Sequence, residues 1–179
     1  ENDAFALAGL FCRVGTKSLD VEDPRPVADL ASRYLRRWNI PSDTADRVSA
    51  IIMNYRSLHA PRTEEELCRD VLRYGREAVS MTLEFASCSA LAERFPSIDI
   101  VKGNRWRLEQ VLRRFASTAR QMDGSDRFLT GGEVMDLLKL VPGRKVGEIL
   151  NGLDMAVGTG RVSNRSEAEA WVLRHGSVF

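Results

Sequence analysis

The 179-residue chain carries 26 basic and 25 acidic side chains, a net charge of +1, with 44% hydrophobic residues, enough apolar content for a packed core in one domain or two small ones. It contains no run of about 18 apolar residues able to span a bilayer, and its start has no basic stretch leading into an apolar segment, so nothing in the sequence suggests secretion and the cytoplasm is the expected compartment. Cys12, Cys68 and Cys88 are odd in number and match no metal-ligand spacing, which points to buried reduced thiols rather than a disulfide framework or a zinc site.

Helical periodicity recurs along the whole chain and no segment alternates with period two between hairpin turns, so the predicted class is all-α. The chain begins at Glu1 without methionine and runs directly into Ala4, Phe5, Leu7, Ala8, Leu10 and Phe11, a beginning expected of a fragment of a longer protein. A first helix is predicted over Asp3 to Arg13, stopping before Gly15. Pro24 and Pro26 open a second, with Val27, Leu30, Ala31, Tyr34, Leu35 and Trp38 as its apolar stripe and Arg33, Arg36 and Arg37 directed elsewhere. Ile40-Pro41 ends it. Ser42 is the expected N-cap of a third helix whose inner face is Ala45, Val48, Ile51 and Ile52, with Pro61 beyond its end. Thr63 and Glu66 form a capping box for a fourth through Leu67, Val71, Leu72 and Tyr74, and Gly75 separates it from a fifth over Glu77 to Arg94.

Phe95-Pro96 ends that helix, and Ser97 to Gly103 reads as a linker, dividing a helical body over 1–96 from a helical tail over 97–179. A helix from Asn104 to Met122 follows, with Trp106, Leu108, Val111, Leu112 and Phe115 as its inner face. Charge is uneven: Glu1 to Ser32 holds six acids against three bases, whereas Lys102 to Met122 holds six bases against Glu109 alone. A basic helix interleaved with Trp106 suits a nucleic-acid surface, although solvated faces also carry such charges. Asp123-Gly124-Ser125-Asp126 is a turn.

The stretch from Leu129 to Trp171 is the most informative. Thr130 and Glu133 form a capping box for a short helix with Val134, Leu137 and Leu138 on one face. Pro142 forces a break and is expected in the first turn of the next helix, whose buried face is Val146, Ile149, Leu150 and Leu153. Gly143 and Gly147 would let another backbone approach, and Arg144 and Lys145 sit at the positive end of the helix. Such a turn suits a phosphate. Close helix packing is the competing use of the same glycines. A last helix is capped by Asn164, has Glu167 in the capping-box position, and runs to about Arg174.

Gly132, Glu133, Met135, Pro142, Gly143, Val146, Gly147, Ile149, Leu150, Gly160, Val162, Asn164, Arg165, Glu167 and Ala168 fall in the order and spacing of a known tail. By these residues the chain resembles the C-terminal region of bacterial tRNA nucleotidyltransferases, the CCA-adding enzymes and their poly(A) polymerase relatives. The resemblance continues more weakly through the helix from Thr63 to Gly75. Leu10-Phe11-Cys12-Arg13-Val14-Gly15 is similar to the "Leu-Leu-His-Asp-Ile-Gly" step of HD-domain helices, with Cys12 and Arg13 in place of the metal-binding pair. A cation there repels a divalent metal. Ile51 to Tyr55 lacks the matching histidine, His59 reads as a turn residue, and Ala86-Ser87-Cys88-Ser89-Ala90 lacks the usual acid, so a degenerate HD-like segment without metal is implied.

Nucleotidyl transfer needs paired carboxylates holding magnesium against a triphosphate, commonly Asp-x-Asp beside a Gly-Ser turn on a strand. The chain has no such motif, and the turn at Asp123 to Asp126 has no adjacent strand. The family's nucleotide-selecting "Glu-Asp-x-x-Arg" helix is also absent. The resemblance therefore implies no catalytic residue, metal or cofactor in this fragment, with magnesium and ATP or CTP belonging to a catalytic head elsewhere. What it implies instead is a grip on tRNA or another structured RNA, first through Gly143, Arg144, Lys145 and Gly147, then through Arg105, Arg113 and Arg114. The alternative is a degenerate HD-derived scaffold or oligomerisation domain that binds no RNA.

Overall fold

The structure, a computed structural model, describes residues 2–18, 23–92, 97–121 and 127–176. Among them all regular structure is helical: α1 (Asn2–Ser18), α2 (Arg25–Arg37), α3 (Ser42–Asn54), a 3-10 turn (Tyr55–His59), α4 (Glu64–Tyr74), α5 (Arg76–Ala92), α6 (Ile98–Gln121), α7 (Gly131–Leu138), α8 (Arg144–Gly158) and α9 (Arg165–His175). No helix of the described residues is long and apolar enough to cross a membrane. The all-α expectation holds.

Two compact units are formed, one from 1–62 with 73–105 and the other from 63–72 with 106–179. The expected linker at Ser97 to Gly103 is a correction: Ile98 to Gly103 is the first part of α6. Val101 and Asn104 are buried there, on the same stripe as Leu108, Val111 and Phe115. That stripe repeats at intervals of three and four residues, which is what holds the segment helical despite Gly103. Phe95-Pro96 and Asp123 to Asp126 lie outside the described residues.

In the first unit, Ala4, Ala8 and Phe11 of α1, Val27, Ala28, Ala31 and Leu35 of α2, Ala45, Val48, Ile51 and Ile52 of α3, and Phe85 of α5 form one buried cluster. Small alanines on α1 and α2 let these helices pack closely around the larger side chains of α3. Helix α1 continues through Gly15 rather than stopping before it. Ser42 is the first helical residue of α3, with Pro41 as N-cap and no side-chain cap bond, so the expected capping role is also corrected.

Asn104 joins two parts of this unit. Its side chain is fully buried; the amide donates to the carbonyls of Leu58 and Ala60, each at 2.9 Å, and the side-chain oxygen accepts from the Arg62 amide at 2.9 Å. One Asn thereby satisfies three backbone groups of the segment after α3 that no helix satisfies.

In the second unit, α7, α8 and α9 pack on one another, with Val134, Val146, Ile149, Leu150, Leu153, Ala168 and Val172 buried. The buried face predicted for α8 is the observed one. The end of α8 is set against Cys68 of α4 and Phe115 of α6. A Cβ on Gly158 would lie 2.2 Å from the Cys68 sulfur and 2.9 Å from Phe115 Cζ. Only glycine permits so close a crossing.

Candidate nucleic-acid interface

Of the three capping boxes predicted from sequence, two are present in full. In the first, the Thr63 amide donates to the Glu66 carboxylate at 2.9 Å and the Glu66 amide to Thr63 Oγ1 at 3.2 Å. In the second, the Thr130 amide donates to Glu133 at 2.7 Å and the Glu133 amide to Thr130 Oγ1 at 3.3 Å. Glu133 also accepts from the Arg165 guanidinium. The backbone bond from Thr130, the Arg165 bond and the Thr130 hydroxyl together hold the Glu133 carboxyl down at about 2. Asn164 caps α9 as expected, accepting from the Glu167 amide at 2.9 Å, but the Glu167 carboxylate accepts from Ser163 rather than from Asn164.

Helix α7 stops before Pro142 acts. Lys139 takes the left-handed conformation at φ 55, and the Leu140 amide returns to the Met135 carbonyl at 3.0 Å. This is the six-to-one bond of a Schellman cap. The same device ends α8, where Gly160 is at φ 76 and the Arg161 amide donates to Ala156 at 2.8 Å. Pro142 lies outside the following helix, a correction: Gly143 is the N-cap and Arg144 the first helical residue.

The start of α8 is open. Gly143 is fully extended and no side chain caps the helix. A Cβ on Gly143 would meet only the Val141 carbonyl, at 3.9 Å, and one on Gly147 would meet nothing within 4 Å. Neither glycine is therefore required by packing inside the protein. Arg144 is 92% exposed and pairs with Glu148 one turn on, at 2.7 Å. Lys145 is half-buried and makes no ion pair among the described residues. Amide donors not held by a side-chain cap, the positive end of the helix dipole and two cations thus share one turn of backbone, an arrangement that attracts an anion.

The remaining sequence candidates are placed differently. Arg113 is exposed and lies 3.8 Å from Glu109. Arg105 is exposed and donates to the Ser87 hydroxyl at 3.3 Å. Arg114 is engaged internally: its Nη1 donates to Glu64 and, at 3.0 Å, to the carbonyl of Gly158. Gly158 is the last residue of α8, and the 15-residue helix is roughly 21 Å long at 1.5 Å per residue. Arg114 therefore neutralises the carbonyl end of the helix whose amide end carries Arg144, and the two do not converge on one spot. Sequence places both in one basic set because charge counting does not register partners.

Two polar residues carry roles that are not among the sequence expectations. Asp154 is buried and pairs with Arg127 at 2.7 Å. Asn104 has a legible signal, since it falls on the apolar stripe of its own helix.

Near Cys12, the residues Cys12, Pro24, Val27, Ile52, Tyr55 and Arg56 line a small recess of about 10 Å³, close to one water-sized sphere. Burial, foremost among the causes, pushes the Tyr55 hydroxyl up from its ordinary value, and its bond from Arg56 opposes this. A tyrosine, a thiol and a guanidinium thus meet at this recess.

The described residues form an all-helical chain, consistent with the body and tail of a tRNA nucleotidyltransferase. The chain is 32% identical over 162 residues to the A-adding tRNA nucleotidyltransferase of Deinococcus radiodurans, covering 89% of this chain and 36% of the relative. It is 26% identical over 147 residues to CCA-adding enzymes of Streptococcus pyogenes, covering 82% of this chain and 31% of each relative. No family model matches the chain, and no solved structure matches it significantly. The similarity covers most of this chain, consistent with a C-terminal region of the tRNA nucleotidyltransferase family, and the chain spans about a third of the length of these curated relatives.

Proposed function

We propose that the chain is the RNA-binding body and tail of a tRNA nucleotidyltransferase or poly(A) polymerase-like protein, gripping tRNA or another structured RNA while a catalytic head outside this sequence carries magnesium and ATP or CTP. The observation that carries the reading is the open start of α8, where Gly143 and Gly147 have room on their outer side and Arg144 and Lys145 flank uncapped amides. Duplex RNA presents side chains mainly with phosphates, 2′-hydroxyls and shape. An extended glycine followed by a helix start fits a phosphate without reading a base. The cytoplasm is the compartment this role requires.

The test is a salt titration of binding to a whole tRNA. Arg144→Ala with Lys145→Ala should weaken binding without altering helicity and reduce the slope of log affinity against log salt by about 0.7 to 0.9 for each phosphate no longer neutralised. Gly143→Val should weaken binding by blocking approach, with charge unchanged. Unaltered affinity and slope in both variants would refute the assignment and favour the scaffold reading, in which the residues at this turn are solvated.

A further inference from the structure

The first unit carries a second surface that the tail reading does not use. On α2, Tyr34 and Trp38 lie one turn apart with ring centroids at 5.8 Å, and they remain 43% and 52% exposed. Both rest on the buried ring of Phe11, at 6.5 Å and 6.2 Å between centroids. The rings are therefore packed against a core residue while about half of each residue's surface remains open to solvent. Arg33, Arg36 and Arg37 are exposed on the same two turns, and none forms an ion pair among the described residues. Asp29 is the only acid of the helix, and it too makes no ion pair among them. Aromatic faces buttressed by a core residue and flanked by unpaired guanidinium groups are the components of a platform for a stacked base between phosphates.

We propose that Trp38 and Tyr34 form a stacking platform for an unpaired base of single-stranded RNA, with Arg33 and Arg37, which the helical turn places along one edge of the rings, holding the adjoining phosphates. Arg36 lies on the far side of the helix and takes no part. Charge complementarity decides the partner. Arg33 and Arg37, beside the rings and in no ion pair among the described residues, oppose a second copy of this chain, which would bring the same two cations against them, and they favour a polyanion. The proposal extends the RNA-binding reading and rests on it for biological context, but it concerns a different unit and a different RNA feature, an unpaired base rather than a duplex backbone.

The experiment measures binding of the full chain to a fluorescently labelled single-stranded RNA octamer, to the same octamer with central abasic sites, and to a duplex RNA carrying equal charge. Stacking of one base predicts that Trp38→Ala weakens binding to the octamer roughly five- to 150-fold. Trp38→Phe, which keeps a ring, should lose much less. Trp38→Ala should bind the abasic octamer and the duplex as wild type does. Arg33→Ala with Arg37→Ala should weaken all three ligands and lower the salt dependence. Circular dichroism controls for folding, since Trp38 is half-exposed. Equal affinity of wild type and Trp38→Ala for the octamer overturns the proposal, as does equal loss on the normal and abasic strands. A wild-type dimer by sedimentation that Trp38→Ala dissociates also overturns it, by assigning the rings to self-association. Failure here leaves the tail reading intact if Arg144→Ala with Lys145→Ala still weakens tRNA binding. Failure of that double variant leaves the octamer result standing.

Discussion

Substituting Asn104 tests how the first unit is held together. Asn104→Ala removes three hydrogen bonds at once and leaves the carbonyls of Leu58 and Ala60 and the amide of Arg62 without it. At about 0.5 to 1.5 kcal/mol net for each bond, the expected loss is about 2 to 4 kcal/mol. Asn104→Leu keeps the branched heavy-atom skeleton and suits the apolar stripe, yet should lose at least a similar amount, because the backbone groups are still left without partners and the two methyl groups are bulkier than the amide they replace. Asn104→Asp keeps the acceptor for Arg62 but sets a carboxylate against two carbonyl oxygens. Its pKa in the folded state must then rise above about 3.9. The charge-dependent part of the loss is absent below that value, grows as pH rises through the interval up to the raised pKa, and is constant above it. The assay is urea unfolding at several pH values, with amide exchange at Arg62 as the local readout. A loss below about 0.5 kcal/mol for Asn104→Ala, or Leu stabilising the protein, would refute the assignment of this side chain as the latch.

Gly158→Ala should destabilise the second unit by about 1 to 3 kcal/mol through overpacking against Cys68 and Phe115, outweighing the roughly 1 kcal/mol that alanine gains over glycine in a helix; combining it with Cys68→Ala should recover part of the loss, and strict additivity in a double-mutant cycle would contradict the contact. Glu133 is held at about 2 in the folded state, below its unfolded value of about 4.3, so it stabilises the fold above that unfolded value and the contribution is lost as pH falls toward 2. Acid unfolding of Glu133→Gln should therefore be less steep over this window than that of wild type, and parallel curves would disprove the role.

Much of the fold is legible in the sequence because its signals are local. Thr63 with Glu66 and Thr130 with Glu133 close hydrogen bonds within one turn, and the buried faces of α3 and α8 follow from spacing alone. The failures share a physical origin in information held elsewhere in the chain. Helix α7 ends through a left-handed lysine, which no residue preference announces, so that sequence alone assigns the stop to Pro142 three residues later. The expected linker is helical because Val101 and Asn104 find burial in the folded unit. Trp106, expected on the inner face of α6, is 60% exposed; an aromatic side chain set within a basic run counts as apolar content in composition, but its angular position turns it outward. Of the candidate site, Gly143, Arg144, Lys145 and Gly147 are recoverable together because they occupy consecutive turns, whereas the partners of Arg114 lie 50 and 44 residues away in sequence.

The two ends of α8 make this distinction consequential for mutational data. At one end Arg144 is almost fully exposed, and its i,i+4 pair with Glu148 is of the class worth about 0.3 to 0.5 kcal/mol, so its removal leaves the fold nearly unchanged. At the other, Arg114 bridges a carboxylate and the terminal carbonyl from a half-buried position, and its guanidinium packs 3.1 Å from where a Cβ on Gly160 would stand. Its removal strips the negative end of the helix dipole of its nearest cation and leaves Glu64 without that partner. If α8 binds RNA as proposed, both substitutions lower apparent RNA affinity, one by removing the proposed phosphate contact and the other by depleting folded protein. The absence of a recognition side chain from the native surface is felt at temperatures far below unfolding and changes the salt slope, whereas depletion scales with the unfolded fraction and leaves the slope of the folded molecules alone. Affinity measured against salt, with stability measured on the same variants, is therefore what assigns each arginine to recognition or to architecture.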